Sequence, residues 1–374
     1  MMRAVLSGGG SGGHIYPALA ISRGLLQVEP EAELLYLGTN HGLERDLVPR
    51  ENIPFRAIHA QGLMGRGLGG KVRGVVALVR GVHDAWRILK RFKPDVVIGT
   101  GGYASGPVGL AANLLHVPLI IQEQNAFPGL TNRNLAKRAA AVFVPFEEAR
   151  QYFPPSARVI IAGNPVSVAG ERLSKKDGRK RLGLKPEVRL LMATGGSQGA
   201  RAINELMLDL LGDVHAASDL GMIWATGKRY YRQVKAAIQE RFPDGLDESR
   251  VQVFEYFYQI QTVYQAADLF VGRAGMGTIT DCEAFGVPAV LIPSPNVSED
   301  HQTKNAQVIE TRGAGMLIRE TDLARDGARV LELLRDTERT GRMAENMRAL
   351  FDADAVDRIV RTVVEASRAS KGRL

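Results

Sequence analysis

The run Ser7-Gly8-Gly9-Gly10-Ser11-Gly12-Gly13-His14 stands between an apolar segment and a helical pattern. A chain binds phosphate at such a place without a charged side chain, because the first N–H groups of a helix point at the ligand and the dipole adds partial positive charge. Glycine there removes the Cβ that would hold an anion away from the backbone. His14 ends the run with an imidazole, the side-chain type best suited to take a proton from a hydroxyl near neutral pH. Three further turns repeat the plan: Gly99-Thr100-Gly101-Gly102-Tyr103-Ala104-Ser105-Gly106-Pro107, Ala193-Thr194-Gly195-Gly196-Ser197-Gln198-Gly199-Ala200 and Gly272-Arg273-Ala274-Gly275-Met276-Gly277-Thr278. Together they describe a phosphorylated ligand held at the carboxyl ends of parallel strands.

What is missing narrows that chemistry. Gly8, Gly10 and Gly13 have the dinucleotide spacing G-x-G-x-x-G, but Leu35-Tyr36-Leu37 runs into Gly38-Thr39-Asn40 with no acidic residue to hold a ribose. No turn contains Gly-Lys-Ser or Gly-Lys-Thr, so ATP hydrolysis is not expected. Cys282 is the single cysteine and no Cys/His cluster has zinc-ligand spacing, which excludes a disulfide framework and a structural zinc. No D-x-D motif stands at a strand end, so no tightly bound metal is expected.

Turns of this kind need strands before them and helices after them. Ala4 to Ser7, Pro17 to Leu26 and Glu33 to Leu37 read as strand, helix, strand, and Asp95 to Ile98, Val117 to Gln122 and Ala141 to Val144 continue a parallel α/β sheet. The plan repeats with strands at Leu190 to Ala193, Met222 to Ala225, Val251 to Phe254, Leu269 to Val271 and Ala289 to Ile292. The turn Gly163-Asn164-Pro165-Val166 and the charged stretch Glu171 to Lys185 separate the two halves. The expected organisation is a doubly wound domain over 1–162, a second over 163–345, and a helical segment over 346–374 that returns to the first domain. The chain has 374 residues, enough for two cores.

The 48 Lys plus Arg against 40 Asp plus Glu leave a net charge of +8, which favours an anionic partner. A nucleic-acid-binding protein is the remote reading, since no aromatic strand motif or recognition helix is evident, and no nucleic acid is expected. No window reaches the ~18 apolar residues of a membrane span, and Met1 to Ser7 leaves no room for a signal peptide, so a cytoplasmic protein is expected.

The turns, taken with Glu123-Gln124-Asn125, Gly129-Leu130-Thr131-Asn132 and Asp300-His301-Gln302-Thr303-Lys304-Asn305-Ala306, resemble the MurG family over nearly the whole chain. That resemblance implies a GT-B fold, two Rossmann-like lobes with an interlobe cleft, and inverting transfer of N-acetylglucosamine from UDP-N-acetylglucosamine to lipid I, giving lipid II for peptidoglycan. A related GT-B enzyme with another lipid or glycan acceptor is the alternative. The resemblance implies that Ser11, Gly12 and Gly13 border the phosphates, that Asn125 faces the sugar and that Ser197 takes a phosphate oxygen. It implies that the Phe257 backbone reads uracil and that the helix opening at Ala274, Gly275, Met276, Gly277, Thr278 and Ile279 offsets the charge of the leaving UDP. Asp281 would hold the ribose, where the family has Glu, and His301, Gln302 and Asn305 would surround the sugar and pyrophosphate. Gly9, Gly10, His14, Gly102, Tyr103 and Ser105 are assigned to the acceptor pyrophosphate. Ser167 stands where the family has a phosphate-binding Arg. The base is His14 or, as runner-up, Glu123, with acceptor binding or a local structural role as the other readings of His14. No cofactor is expected, with Mg²⁺ at most a companion of the lipid pyrophosphate.

Between Arg66 and Lys93, the residues Arg66, Lys71, Arg73, Arg80, Arg87, Lys90, Arg91 and Lys93 face only Asp84 and alternate with Leu68, Val72, Val75, Val76, Val79, Val82, Trp86 and Leu89. The pattern fits either a basic amphipathic surface docking on anionic lipid or a helix packing Val75, Val79, Val82 and Trp86 into the core. The first reading places the protein on the cytoplasmic face of the plasma membrane as a peripheral protein, with cell-wall synthesis proteins as further candidate partners.

Overall fold

A computed structural model describes residues 1–61, 68–166 and 171–372. Thirteen strands form among them: β1 (Arg3–Gly8), β2 (Glu33–Gly38), β3 (Phe55–Ala57), β4 (Val96–Gly101), β5 (Leu119–Gln122), β6 (Ala141–Val144) and β7 (Val159–Ile161), then β8 (Arg189–Thr194), β9 (Leu220–Ala225), β10 (Val251–Phe254), β11 (Leu269–Gly272), β12 (Ala289–Leu291) and β13 (Gly315–Leu317). The helices used below are α1 (Gly12–Val28), α2 (Leu68–Phe92), α3 (Gly102–Leu114), α4 (Arg201–Ala216), α5 (Met276–Phe285), α6 (His301–Thr311) and α7 (Ala355–Lys371). Two compact units result, Met1–Ser167 with Asp352–Leu374, and Val168–Phe351.

The first unit holds a seven-stranded sheet in the order β3-β2-β1-β4-β5-β6-β7, and its pairings are parallel. Its strands are nearly continuous apolar runs because both faces are covered. Val5, Val97, Ile121 and Val142 enter one core and Leu6, Ile98, Ile120 and Phe143 the other, following the two-residue pleat. Ile359, Val360, Val363 and Val364 put one face of α7 into the second of those cores, against α1. Gly24 of α1 makes the approach close: a Cβ there would lie 2.5 Å from Cγ1 of Val356. Asp352 ties the start of this segment down by accepting from the Gly163 N–H at 3.0 Å and from Arg358 at 3.0 Å.

The second unit holds a six-stranded parallel sheet in the order β10-β9-β8-β11-β12-β13. Trp224, fully buried, donates its indole N–H to Asn204 of α4 at 3.0 Å, so the one polar atom of the largest core side chain is satisfied. In each sheet the order reverses beside the first strand of the unit, which places the turns after β1 and β4, and those after β8 and β11, next to each other. No helix among the described residues is long and apolar enough to cross a membrane.

Candidate active site

The two glycine turns of the first unit interlock. A Cβ on Gly8 would lie 2.1 Å from Oγ1 of Thr100, and one on Gly102 would lie 2.2 Å from the Gly9 carbonyl. Gly10 and Gly102 have φ of +90° and +74°, the left-handed region that glycine enters without strain. The Tyr103 ring covers Gly10, 2.7 Å from where a Cβ would be. α1 begins with Ser11 in extended conformation as N-cap, its side chain making no capping bond. The first N–H groups of α1 lack intrahelical acceptors by construction, so this end presents a set of donors with partial positive charge.

Glu44 supports the turn from behind. It is fully buried, and its carboxylate accepts from the Gly10 N–H at 3.2 Å, the Thr39 N–H at 3.0 Å and the Thr39 hydroxyl at 2.8 Å. The Gly10 N–H is thereby committed to protein rather than to a ligand. Sequence reasoning did not find Glu44, because a lone glutamate 34 residues from its partner carries no local pattern.

His14 is oriented by its other ring nitrogen. Nδ1 lies 3.1 Å from the Thr100 carbonyl oxygen and 2.8 Å from Oε1 of Gln124. A carbonyl only accepts, so Nδ1 carries the proton and the Nε2 lone pair is left for a substrate proton. Gln124 is held in turn, its amide donating to the Thr100 carbonyl at 2.7 Å and to the Gln122 carbonyl at 3.1 Å.

Glu123 is arranged otherwise. Only 2% exposed, it accepts from the N–H groups of Gln124 and Asn125 at 2.9 Å each, from the Asn125 amide at 3.1 Å, from the Gly129 N–H at 3.0 Å and from the Asn132 amide at 2.9 Å. Both oxygens are taken up in shaping the 123–132 loop. Ser105 is engaged in a similar way. It is buried, its Oγ accepts from the Gly101 N–H at 3.1 Å and lies 2.6 Å from the Ser7 carbonyl, to which it donates. The hydroxyl joins β1 to β4.

In the second unit the turn after β8 is folded by Gly196 and Gly199, with φ of +84° and +79°. A Cβ on Gly199 would lie 2.0 Å from the Thr226 carbonyl, so this turn lies against the end of β9 and leaves Ser197 exposed at its tip. The turn after β11 opens α5, whose N-cap is Gly275, and extra atoms on Gly275 or Gly277 would meet nothing within 4 Å. The helix end is therefore open and its leading N–H groups are accessible. Arg273 does not reach toward it, since its guanidinium donates to the Ile292 and Pro293 carbonyls and pairs with Glu320 at 2.8 Å. Asn305 of α6 is buried and donates its amide to the Ala274 carbonyl at 3.1 Å, which fixes the turn from the side. Gln302 accepts from the Ser294 N–H at 2.8 Å, leaving its amide hydrogens directed elsewhere. Phe257 is buried. His301 opens α6, half-buried. Ser167 lies outside the described residues.

Asp281 and Glu283 differ as their positions two apart on a helix require. Asp281 is half-buried and Glu283 is 3% exposed with one carboxylate oxygen, Oε1, lacking a hydrogen-bond partner. Burial pushes the Asp281 carboxyl up to about 7 and the Glu283 carboxyl up to about 8. Because the folded state holds these protons more tightly than the unfolded chain, stability is full below the ordinary carboxylate range and is lost as pH rises through 7 to 8. The Glu283→Gln variant, which keeps shape and removes the charge, is therefore expected to be more stable than wild type at pH 9 by ~5 kcal/mol and equal to it near pH 4. Denaturant unfolding at the two pH values checks this, and equal destabilisation at both would contradict it. Among the described residues no group of three or more His, Cys, Asp and Glu is placed to hold a metal ion.

The structure thus gathers Gly9, Gly10, Ser11, Gly12, Gly13, His14, Gly102 and Tyr103 at one sheet edge of the first unit, with Glu123 and Asn125 joined to them through Gln124. It gathers Ala274 to Ile279, Gln302 and Asn305 at the corresponding edge of the second unit, beside the turn that carries Ser197.

Comparison with known proteins agrees with this arrangement. The Glycosyltransferase family 28 N-terminal domain matches residues 4–144 and the Glycosyltransferase family 28 C-terminal domain matches residues 190–359. A protein of Symbiobacterium thermophilum is 44% identical over 99% of this chain and 98% of its own, and one of Moorella thermoacetica is 40% identical over 97% and 99%. Both are named UDP-N-acetylglucosamine--N-acetylmuramyl-(pentapeptide) pyrophosphoryl-undecaprenol N-acetylglucosamine transferase. The crystal structure of Acinetobacter baumannii MurG superposes with a TM-score of 0.80 at 28% identity, covering 98% of this chain and 100% of that one. With two parallel-sheet units of GT-B type, both family 28 domains and these full-length relatives, the chain belongs to the MurG family of glycosyltransferases.

Proposed function

We propose that this protein transfers N-acetylglucosamine from UDP-N-acetylglucosamine to the C4 hydroxyl of the muramoyl sugar of lipid I, with inversion, giving lipid II. The observation that carries the mechanism is the Nδ1 contact of His14 with the Thr100 carbonyl, which leaves Nε2 as the proton acceptor. The hydroxyl proton passes to Nε2 as O4 forms its bond to the anomeric carbon, and the bond from that carbon to the UDP oxygen breaks with its electron pair leaving on UDP. The open N–H groups of α5 at Met276, Gly277 and Thr278 offset the charge that develops there. Ser197 takes a phosphate oxygen, the Phe257 backbone reads uracil, and Asp281 accepts the ribose hydroxyls. Ser11, Gly12 and Gly13 border the phosphates, with Gly9, Gly102 and Tyr103 shaping the acceptor side. His301 and Gln302 meet the sugar and pyrophosphate. Asn125 faces the sugar from a loop held by Glu123, and Asn305 holds the α5 turn. Transfer from UDP-N-acetylglucosamine, but not from UDP-glucose, to a short-chain lipid I supports this reading, whereas preference for another acceptor would replace it with that of a related GT-B enzyme.

We further propose that α2 seats the protein on the cytoplasmic face of an anionic membrane. Val75, Val76 and Val79 are 54%, 44% and 63% exposed, while Val82 and Trp86 pack against the core. The two readings of the helix thus apply to different parts of it, Val75, Val76 and Val79 being exposed within the basic stretch 66–93 and Val82 and Trp86 turned to the core. Side chains at 66, 71 and 73 lie outside the described residues. Replacing Val75, Val76 and Val79 together by Asn is expected to lower binding to phosphatidylglycerol vesicles at least ~10-fold, with activity on a soluble acceptor kept. Unchanged sedimentation with vesicles would contradict the docking.

A further inference from the structure

A cavity of about 700 Å³ opens in the first unit, away from the glycine turns, and no role has been assigned to it. Its walls are Asn40 and His41 after β2, His59 after β3, and a stripe of α2 carrying Arg80, Arg87 and Arg91. Steps of seven and four residues put the three guanidiniums on one side of the helix. Val79 and Arg80 are consecutive, about 100° apart around the helix, so Val79 points away from the arginine stripe, whereas Val76, one turn before Arg80, sits at the edge of the cavity. Among the described residues none of the three arginines forms an ion pair with a carboxylate. The only carboxylate in the lining, Asp84, is already engaged, accepting from the His59 N–H at 3.1 Å and from its Nδ1 at 2.6 Å. Burial would raise the Asp84 carboxyl, but these bonds and the nearby imidazoles hold it below the usual carboxylate range, so it stays charged and matched. A cavity of ligand size with three uncompensated guanidiniums is built for carboxylates or phosphates.

Position selects between them. The loop that supplies Asn40 and His41 is the one Glu44 fastens, through Thr39, to the Gly10 N–H of the first turn. Two strand spacings from β1 to β3 are about 10 Å, and five extended residues span up to about 17 Å. A five-residue peptide attached to a sugar at His14 is therefore long enough to cross from the first turn to the β3 side of the sheet, where Asn40, His41 and His59 line the cavity. We propose that the cavity binds the carboxylates of the acceptor's peptide stem, with Arg80, Arg87 and Arg91 as specificity-determining residues. This inference rests on the muramyl-pentapeptide acceptor read above.

The test compares wild type with an Arg80→Gln, Arg87→Gln, Arg91→Gln variant on soluble acceptors whose peptide ends in a free carboxylate or an amide. For the free acid, KM of the variant is expected to rise roughly 10-fold or more with kcat and the KM of the donor unchanged. For the amide, the difference between the proteins should shrink severalfold. Equal changes on both acceptors, or none on either, would overturn the proposal. So would a variant that loses phosphatidylglycerol vesicle binding while its KM for the free acid stays put, which would assign the cavity to a lipid headgroup. If wild type transfers to no acceptor, the enzymatic reading fails, and calorimetry with free N-acetylmuramyl-pentapeptide still decides the cavity: binding present in wild type and lost in the variant supports it, and no binding overturns it.

Discussion

Replacement of His14 by Ala is expected to lower kcat by roughly 10²- to 10⁴-fold, the usual contribution of a positioned general base, while the KM values of donor and acceptor stay within a few-fold of wild type. The expectation follows from the tautomer. With Nδ1–H bound to the Thr100 carbonyl, the lone pair sits on Nε2, and among the described residues the carboxylates that touch the interlocked turns and the 123–132 loop, Glu44 and Glu123, are occupied by donors of the protein. His14→Gln is the sharper variant, since an amide can still donate to the Thr100 carbonyl and preserve the turn but offers no basic nitrogen. It should lose as much kcat as His14→Ala with an unchanged melting temperature. Steady-state kinetics at saturating substrates checks both, and a rise in acceptor KM with kcat retained would make His14 an acceptor-binding residue.

Loss of Glu123 should be felt first as stability. Glu123→Ala leaves the N–H groups of Gln124, Asn125 and Gly129 and the amides of Asn125 and Asn132 without their shared acceptor. Orphaning several buried donors at once is expected to destabilise the first unit by ~3–5 kcal/mol. Glu123→Gln keeps one acceptor oxygen but turns an amide against donors, and about half that loss is expected. Activity falls with it, because Gln124, which contacts His14 at 2.8 Å, belongs to the same loop. Denaturant unfolding beside kinetics separates the roles: a base would lose kcat with stability intact, whereas a positioning residue loses stability in both variants.

The sheets were readable from the sequence because parallel strands buried on both faces appear as short apolar runs, and the turns because glycines there occupy conformations or spaces closed to other residues. Gly10, Gly102, Gly196 and Gly199 bear that out with positive φ. What the sequence hid are contacts between distant segments. His14 and Gln124 are 110 residues apart, and nothing local marks Gln124 as the partner that orients the imidazole. Glu44 was hidden for the same reason. A hydroxyl in a glycine turn such as that of Ser105 reads as a ligand from sequence, and its contacts with the β1 and β4 backbones were likewise hidden. The titration of Asp281 and Glu283 is set by packing around α5, which periodicity does not report. On α2 the spacing revealed an amphipathic helix, but not that Val82 and Trp86 meet the core while Val75, Val76 and Val79 leave it.

The most direct measurement is product analysis after incubating the protein with labelled UDP-N-acetylglucosamine and a short-chain lipid I. A disaccharide with N-acetylglucosamine β-linked to O4 of the muramoyl sugar, formed by wild type and reduced at least ~100-fold by His14→Gln, is the predicted result. An α-linkage, transfer to a different position, or full turnover in His14→Gln would contradict it.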